Sequence, residues 1–195
     1  SNYSQTLTVT TPCTAITTLP WSEYFDTYGT GSGAFPPCWF RPVLYGTTPY
    51  PSIVIVNYSA PGSLRFQSAT TQPTYAVTPQ MDVDINTLMV TFQLRAENTI
   101  SSGVMHVGVM SNPYDPSTFE LVQIITPTST SFQEYEVFFA NTTLTGTGNF
   151  IAFKHVTNSA SYYYWLDNVV VDLIPPCPKP SGLTVVSAEA DQLEI

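Results

Sequence analysis

The stretch "NTLMVTFQLRA", residues Asn86–Ala96, alternates Leu88, Val90, Phe92, Leu94 and Ala96 with Thr87, Met89, Thr91, Gln93 and Arg95. Successive side chains of an extended chain point to opposite faces. The pattern therefore predicts a half-buried antiparallel strand with one apolar face. Outward from it, further strand patterns occur at "PSIVIVNY" (51–58), "GSLRFQS" (62–68), "SGVMHVGVM" (102–110), "TFELVQIIT" (118–126), "FQEYEVFFA" (132–140) and "NFIAFKHV" (149–156). Turn-rich pieces such as "SAPG", "SNPYDPS" and "NTTLTGTGN" separate them. A helical period is carried nowhere. Eight or more strands without helices predict an all-β fold of two packed antiparallel sheets.

Composition narrows the partners. Of 195 residues only 10% are charged, with five Lys and Arg against 14 Asp and Glu, for a formal net charge of -9. Nucleic acid and anionic membranes both demand basic surface, so neither is an expected partner. A cation or a neutral ligand fits better. No apolar run approaches the roughly 20 residues that span a bilayer, so membrane insertion is not expected. Cys13, Cys38 and Cys177 form no C-x-x-C pair and have no His at zinc-ligand spacing. Low charge, many threonines and aromatics, and proline-rich joints favour an oxidising, extracellular setting.

The ends differ from the middle. "SNYSQTLTVTTP" reads as the last strand of a preceding β-sandwich, followed by the linker "CTAITTLP". "PPCPKPSGLTVVSAEADQLEI" reads as a proline-rich joint leading into two short strands that resemble the start of a fibronectin type III domain. The expected organisation is 1–18 for the preceding end and linker, 19–175 for the central domain, and 176–195 for the following linker and strands.

Five stretches of the central domain carry a resemblance: "LPWSEYFDTYGTGSGAFPPCWF", "GSLRFQS", "YAVTPQMDVDINTLMVTFQLRA", "VGVMSNPYDPSTFELVQ" and "FIAFKHVTNSASYYYWLDNVVV". In that order they resemble the cleaved-adhesin, or choice-of-anchor J, modules of Bacteroidetes surface proteins, which are similar to MAM domains and to the adhesin modules of gingipain-type proteases. The resemblance implies a jelly-roll β-sandwich, secreted or displayed on the cell surface, flanked by immunoglobulin-like and fibronectin-like modules. It implies a non-catalytic module recognising a host or extracellular protein or a glycan. The alternatives are a carbohydrate-binding module that targets an appended enzyme and a passive spacer.

"YYYWLDNVVVDL" (162–173) raises a sharper question. Strict alternation aligns Tyr163, Trp165, Asp167, Val169, Val171 and Leu173, which sets a carboxylate on an apolar face. A buried ionised carboxylate needs a hydrogen-bonded or cationic partner. The resemblance implies that Asp167 lies near Asp26, with Glu23 a third candidate, and that the group holds a structural calcium or sodium ion. Calcium takes about six to eight oxygens, so carbonyls and water would complete such a site. The competing reading is a hydrogen-bonded Asp167 with no metal, accepting from backbone N–H groups, Trp indoles or Lys154.

Other candidates stand beside plainer readings. Tyr162 and Tyr164, opposite the Trp165 face, together with Tyr50 and Tyr114 from loops, offer rings on which sugars could stack, although an all-β core also consumes aromatics. Glu189, Asp191 and Glu194 match the E-x-D-x-x-E pattern of jelly-roll glycoside hydrolases but lie in the following segment without the apolar residues that anchor it. His106 and His155 have no partners at catalytic or metal spacing. Asp82 with Asp84, and Glu134 with Glu136, read as solvated acids at strand edges. Cys13 and Cys177 flank the domain where first and last strands meet, so they could pair and leave Cys38 a buried thiol.

Overall fold

The strand at Leu88–Ala96 follows its alternation: Leu88, Val90, Phe92, Leu94 and Ala96 are all fully buried. The computed structural model describes residues 13–31, 33–42, 50–68, 72–98, 103–157 and 162–176, and the backbone of 188–189 and 192–193. Within these, ten strands build the body: β1 (Trp21–Glu23), β2 (Ser52–Val54), β3 (Ser63–Ser68), β4 (Thr74–Val77), β5 (Leu88–Ala96), β6 (Gly103–Met110), β7 (Glu120–Ile125), β8 (Gln133–Phe138), β9 (Phe150–Thr157) and β10 (Tyr162–Leu173). Short 3-10 turns at Ile85–Thr87 and Pro116–Thr118 are the helical elements among the described residues.

Two antiparallel sheets result. The larger has the order β2-β3-β10-β5-β8, with β1 also paired to β10, and the smaller has the order β4-β9-β6-β7. The pairings are nested: β3 with β10, β4 with β9, β5 with β8 and β6 with β7. That is one long hairpin wound over itself into a sandwich, the winding of a jelly roll. Phe66, Phe92, Val107, Phe153 and Leu166 meet between the layers, with the rings of Phe92 and Phe153 edge to face at 5.1 Å. Each such fully buried side chain contributes about 1.5–3 kcal/mol.

Strand β10 departs from strict alternation. Its pairing with β5 slips between Asp167 and Val170, and Asn168 sits in the left-handed region at φ 46°. The extra residue exchanges faces. Before the bulge Tyr162, Tyr164 and Leu166 point into the core, and after it Val169 and Val171 do. Tyr163, Trp165 and Asp167 therefore lie on the outer face of the larger sheet, contrary to the simple period-two reading, and Leu173 is exposed.

The segment read as a linker is tied into the sandwich. Cys13 bonds Cys38, with Cα atoms 5.3 Å apart, so the pairing of Cys13 with Cys177 and a free Cys38 do not occur. Between them Ile16 exchanges hydrogen bonds with the 80–82 backbone and is part of the core. Cys177, the opening twelve residues and the side chains of 188–193 lie outside the described residues. The backbone there forms β11 (Ala188–Glu189) paired with β12 (Gln192–Leu193).

Candidate functional site

The outer face of the larger sheet carries the chemistry that the core excludes. Register sets Arg65 of β3 opposite Trp165 of β10, and Trp165 opposite Arg95 of β5. Strands lie about 4.8 Å apart, so the two guanidinium stems flank the indole at about 10 Å from each other. The Arg65 Cζ lies 4.9 Å from the Tyr50 ring centre and 5.0 Å from that of Tyr163. On the other side the Arg95 Cζ lies 4.8 Å from Trp165 and 5.8 Å from Phe132. Rings and cations thus alternate across the sheet, each planar cation held against aromatic faces. Arg65 also donates to the Tyr50 Oη. Among the described residues the Nε atoms of Arg65 and Arg95 and the Trp165 Nε1 are buried and find no acceptor. A pocket of about 280 Å³ opens beside this row, lined by Thr30, Gly31, Val54, Ile55, Val56 and Arg65.

The loop between β2 and β3 forms one rim, and Asp167 holds it. The Asp167 Oδ2 accepts from the backbone N–H groups of Tyr58 at 2.8 Å and Ser59 at 3.0 Å, and its Oδ1 accepts from Asn168 N–H at 2.8 Å. Asp167 is fully buried although it points away from the core, because this loop covers it. Burial pushes its carboxyl up to about 6, while the three N–H bonds pull the other way and the Asp26 charge adds to the rise. Asp26 binds the same loop more loosely, accepting from the Ser59 hydroxyl and the Gly62 N–H, both at 3.4 Å. Gly62 has no room for a side chain: a Cβ there would meet Ile53 at 2.8 Å and the Phe25 carbonyl oxygen at 3.3 Å. The anchored loop presents Tyr58, whose ring meets Phe132 edge to face at 5.9 Å, and the exposed Ile55.

Asp26 and Asp167 thus share one loop. Glu23 is engaged elsewhere, accepting from Phe25 N–H and the Tyr28 hydroxyl at 2.8 Å each. Burial raises the Glu23 carboxyl, and it raises Tyr28, with the Glu23 contact adding, to about 12. The groups aimed at Asp26 and Asp167 are backbone N–H and hydroxyl donors. A calcium or sodium ion requires oxygens turned toward it. No group of three or more His, Cys, Asp or Glu side chains is placed to hold a metal among the described residues. Asp26 and Asp167 are thus engaged as hydrogen-bond acceptors of the 55–62 loop.

The four tyrosines singled out from sequence separate. Tyr162 and Tyr164 are buried in the core, donating to the carbonyls of Asn98 at 2.9 Å and Gly103 at 2.5 Å, and so offer no ring to a ligand. The bulge at Asn168 is the reason, since it assigns the inner face to the even-numbered positions before it. Tyr50 is buried against Arg65 at one end of the row. Tyr114, 71% exposed, stacks edge to face on Phe40, which belongs to a small cluster on the outside of the other sheet with Phe150 and Val77. His155 is buried against Tyr164, Tyr162 and Phe66, and burial pushes its imidazole down to about 3. His106 pairs across strands with Lys154, and partial burial lowers it too. Neither histidine adjoins the row. Arg65, Arg95, Tyr163 and Trp165 were not legible as a unit from spacing; the available signal was that two of the five basic residues occupy outward positions of strands beside outward aromatics.

No family model matches this chain, and no curated protein matches it. Among solved structures, the K1 cleaved adhesin domain of Lys-gingipain from Porphyromonas gingivalis W83 matches with a TM-score of 0.58 at 18% identity, covering 81% of this chain and 100% of that one. The K2 cleaved adhesin domain of Lys-gingipain matches with a TM-score of 0.61 at 14% identity, covering 80% of this chain and 98% of that one. The K3 domain from the same organism matches at 0.55 and 18% identity, over 78% and 96%. The chain therefore shares the β-sandwich fold of the gingipain cleaved adhesin domains.

Proposed function

We propose that this chain is a non-catalytic, adhesin-like recognition module of an extracellular bacterial surface protein, and that it binds a glycan through the outer face of its larger sheet. One observation carries the reading: Arg65, Tyr163, Trp165 and Arg95 form a continuous row of rings and cations on that face. Sugars are held by flat rings flanked by hydrogen-bond donors, because their C–H faces pack on π-systems and their hydroxyls need polar partners. The Arg65 pocket and the Tyr58 rim add shape to an otherwise open sheet face. The Cys13–Cys38 disulfide supports an oxidising location. Sequence supports neighbouring immunoglobulin-like and fibronectin-like modules before Cys13 and beyond Pro176.

A protein partner is the second reading, favoured by Ile55 at 76% and Tyr58 at 56% exposure on the same rim. A mixed array of glycans and extracellular proteins, probed with the chain and with its Tyr163→Ala variant, separates the two. Glycan hits lost in the variant support the proposal. Hits confined to proteins and lost on Ile55→Ser would replace it with the second reading, and silence from a folded sample would favour a spacer.

A further inference from the structure

We infer that the saccharide taken by this face is an acidic one, its carboxylate or sulfate held by the guanidiniums of Arg65 and Arg95. The inference rests on reading the outer face as a saccharide site, and it names the class of ligand.

The chain holds five basic residues against 14 acids, yet two of the five stand in register on either side of one indole. In so acidic a protein a cation normally finds a carboxylate. Among the described residues neither Arg65 nor Arg95 makes an ion pair: Arg65 has the Tyr50 hydroxyl as its polar contact, and both Nε–H groups are buried without an acceptor.

Two acids of the same face are turned to other work. Asp167 spends both oxygens on the backbone of Tyr58, Ser59 and Asn168. Glu134 takes the Gln93 side-chain amide at 3.4 Å. The pocket beside the row contains one charged lining group, Arg65. Aromatic faces on either side keep each partly exposed guanidinium extended, and the planar N–H donors of such a group match the geometry of an oxyanion. What the row lacks is an acceptor of negative charge. A uronate or a sulfated sugar supplies one while its ring packs on Tyr163.

The test titrates the 195-residue chain against polygalacturonate, the same polymer methyl-esterified, dextran sulfate and neutral xylan, with Arg65→Gln, Arg95→Gln, Arg65→Lys, Arg95→Lys and Tyr163→Ala variants whose melts establish folding. Losing one charge-assisted contact is expected to weaken acidic-polymer binding about tenfold or more in each Gln variant, with partial recovery in the Lys variants. Esterification should weaken binding by a similar factor. Binding of dextran sulfate alone among the acidic polymers would assign the site to sulfate. Equal binding of esterified and acidic polymer, or acidic binding indifferent to both Gln variants, would overturn the inference. If neutral binding is then lost in Tyr163→Ala, the saccharide site itself stands. No saccharide binding by a folded chain would overturn the site and the inference together.

Discussion

Replacing Asp167 with Ala removes the group that fastens the 55–62 loop to β10. Three backbone N–H groups, those of Tyr58, Ser59 and Asn168, lose their acceptor at a fully buried position. At a net value of about 1 kcal/mol per bond the loss is about 3 kcal/mol. For a chain of this size that corresponds to a fall in Tm of about 6–12 °C. Asp167→Asn keeps one carbonyl oxygen and should lose only about 1 kcal/mol. The pH dependence has a definite sign. The carboxyl rises from 3.8 to about 6 on folding, so between those values the folded chain holds a proton that the unfolded chain has released. The contribution of this group is therefore full below about 4 and falls as pH rises through about 6. The gap in Tm between the native chain and Asp167→Ala should be wider at pH 4.5 than at pH 8 (about the two sides of this titration). Thermal melts followed by circular dichroism at both pH values measure it. A fall below about 2 °C, or a gap that widens with pH, would show that Asp167 does not fasten the loop in this way.

His155 works in the opposite sense: its imidazole is pushed down to about 3 on folding, so its neutral burial loses stability as pH drops below the ordinary 6.5. The Tm of His155→Phe relative to the native chain should be more favourable at acid pH than at about pH 8, and a difference that moves the other way as pH falls would contradict this. Reducing the Cys13–Cys38 bond, which closes a separation of 25 residues, should cost about 3.5 kcal/mol, visible as a lower denaturant midpoint in dithiothreitol. Arg95→Gln loses a ring contact at 4.8 Å worth about 0.5–1 kcal/mol, so its Tm should fall by only about 1–4 °C. Melts in calcium and in chelator should coincide, since the groups facing Asp26 and Asp167 are donors; a clear rise in calcium would restore the cation.

The layers were legible wherever alternation was unbroken. Leu88 to Ala96 reads correctly because every second residue is apolar and the strand carries no irregularity. Strand β10 does not, because one residue in the left-handed region inverts every later face, and periodicity alone carries no mark of it. The dipeptide Asp167-Asn168 was the available clue, since Asn tolerates that backbone region better than most residues. This inversion moved Tyr162 and Tyr164 inward and brought Tyr163, Trp165 and Asp167 outward. Asp167 is buried as the sequence suggested, but by a loop 108 residues away in the chain rather than by the opposite sheet. The pairing of Cys13 with Cys38 depends on how the turn before Trp39 folds back, which spacing does not encode. The arginine and aromatic row requires the register of three strands at once. No single stretch contains it.

The most direct test of the outer face as the binding surface is a nitrogen-15 NMR titration with whichever saccharide the array selects. Trp165 Nε1–H and the Arg65 and Arg95 Nε–H groups belong to the row, so a ligand seated on it perturbs their signals, while the indole of Trp39, in the core between the sheets, serves as an internal control. Saturable shifts of the Trp165 and arginine signals with Trp39 unmoved are expected. Saturable shifts confined to residues around Tyr114 and Phe40 on the other sheet, with the row silent, would contradict it.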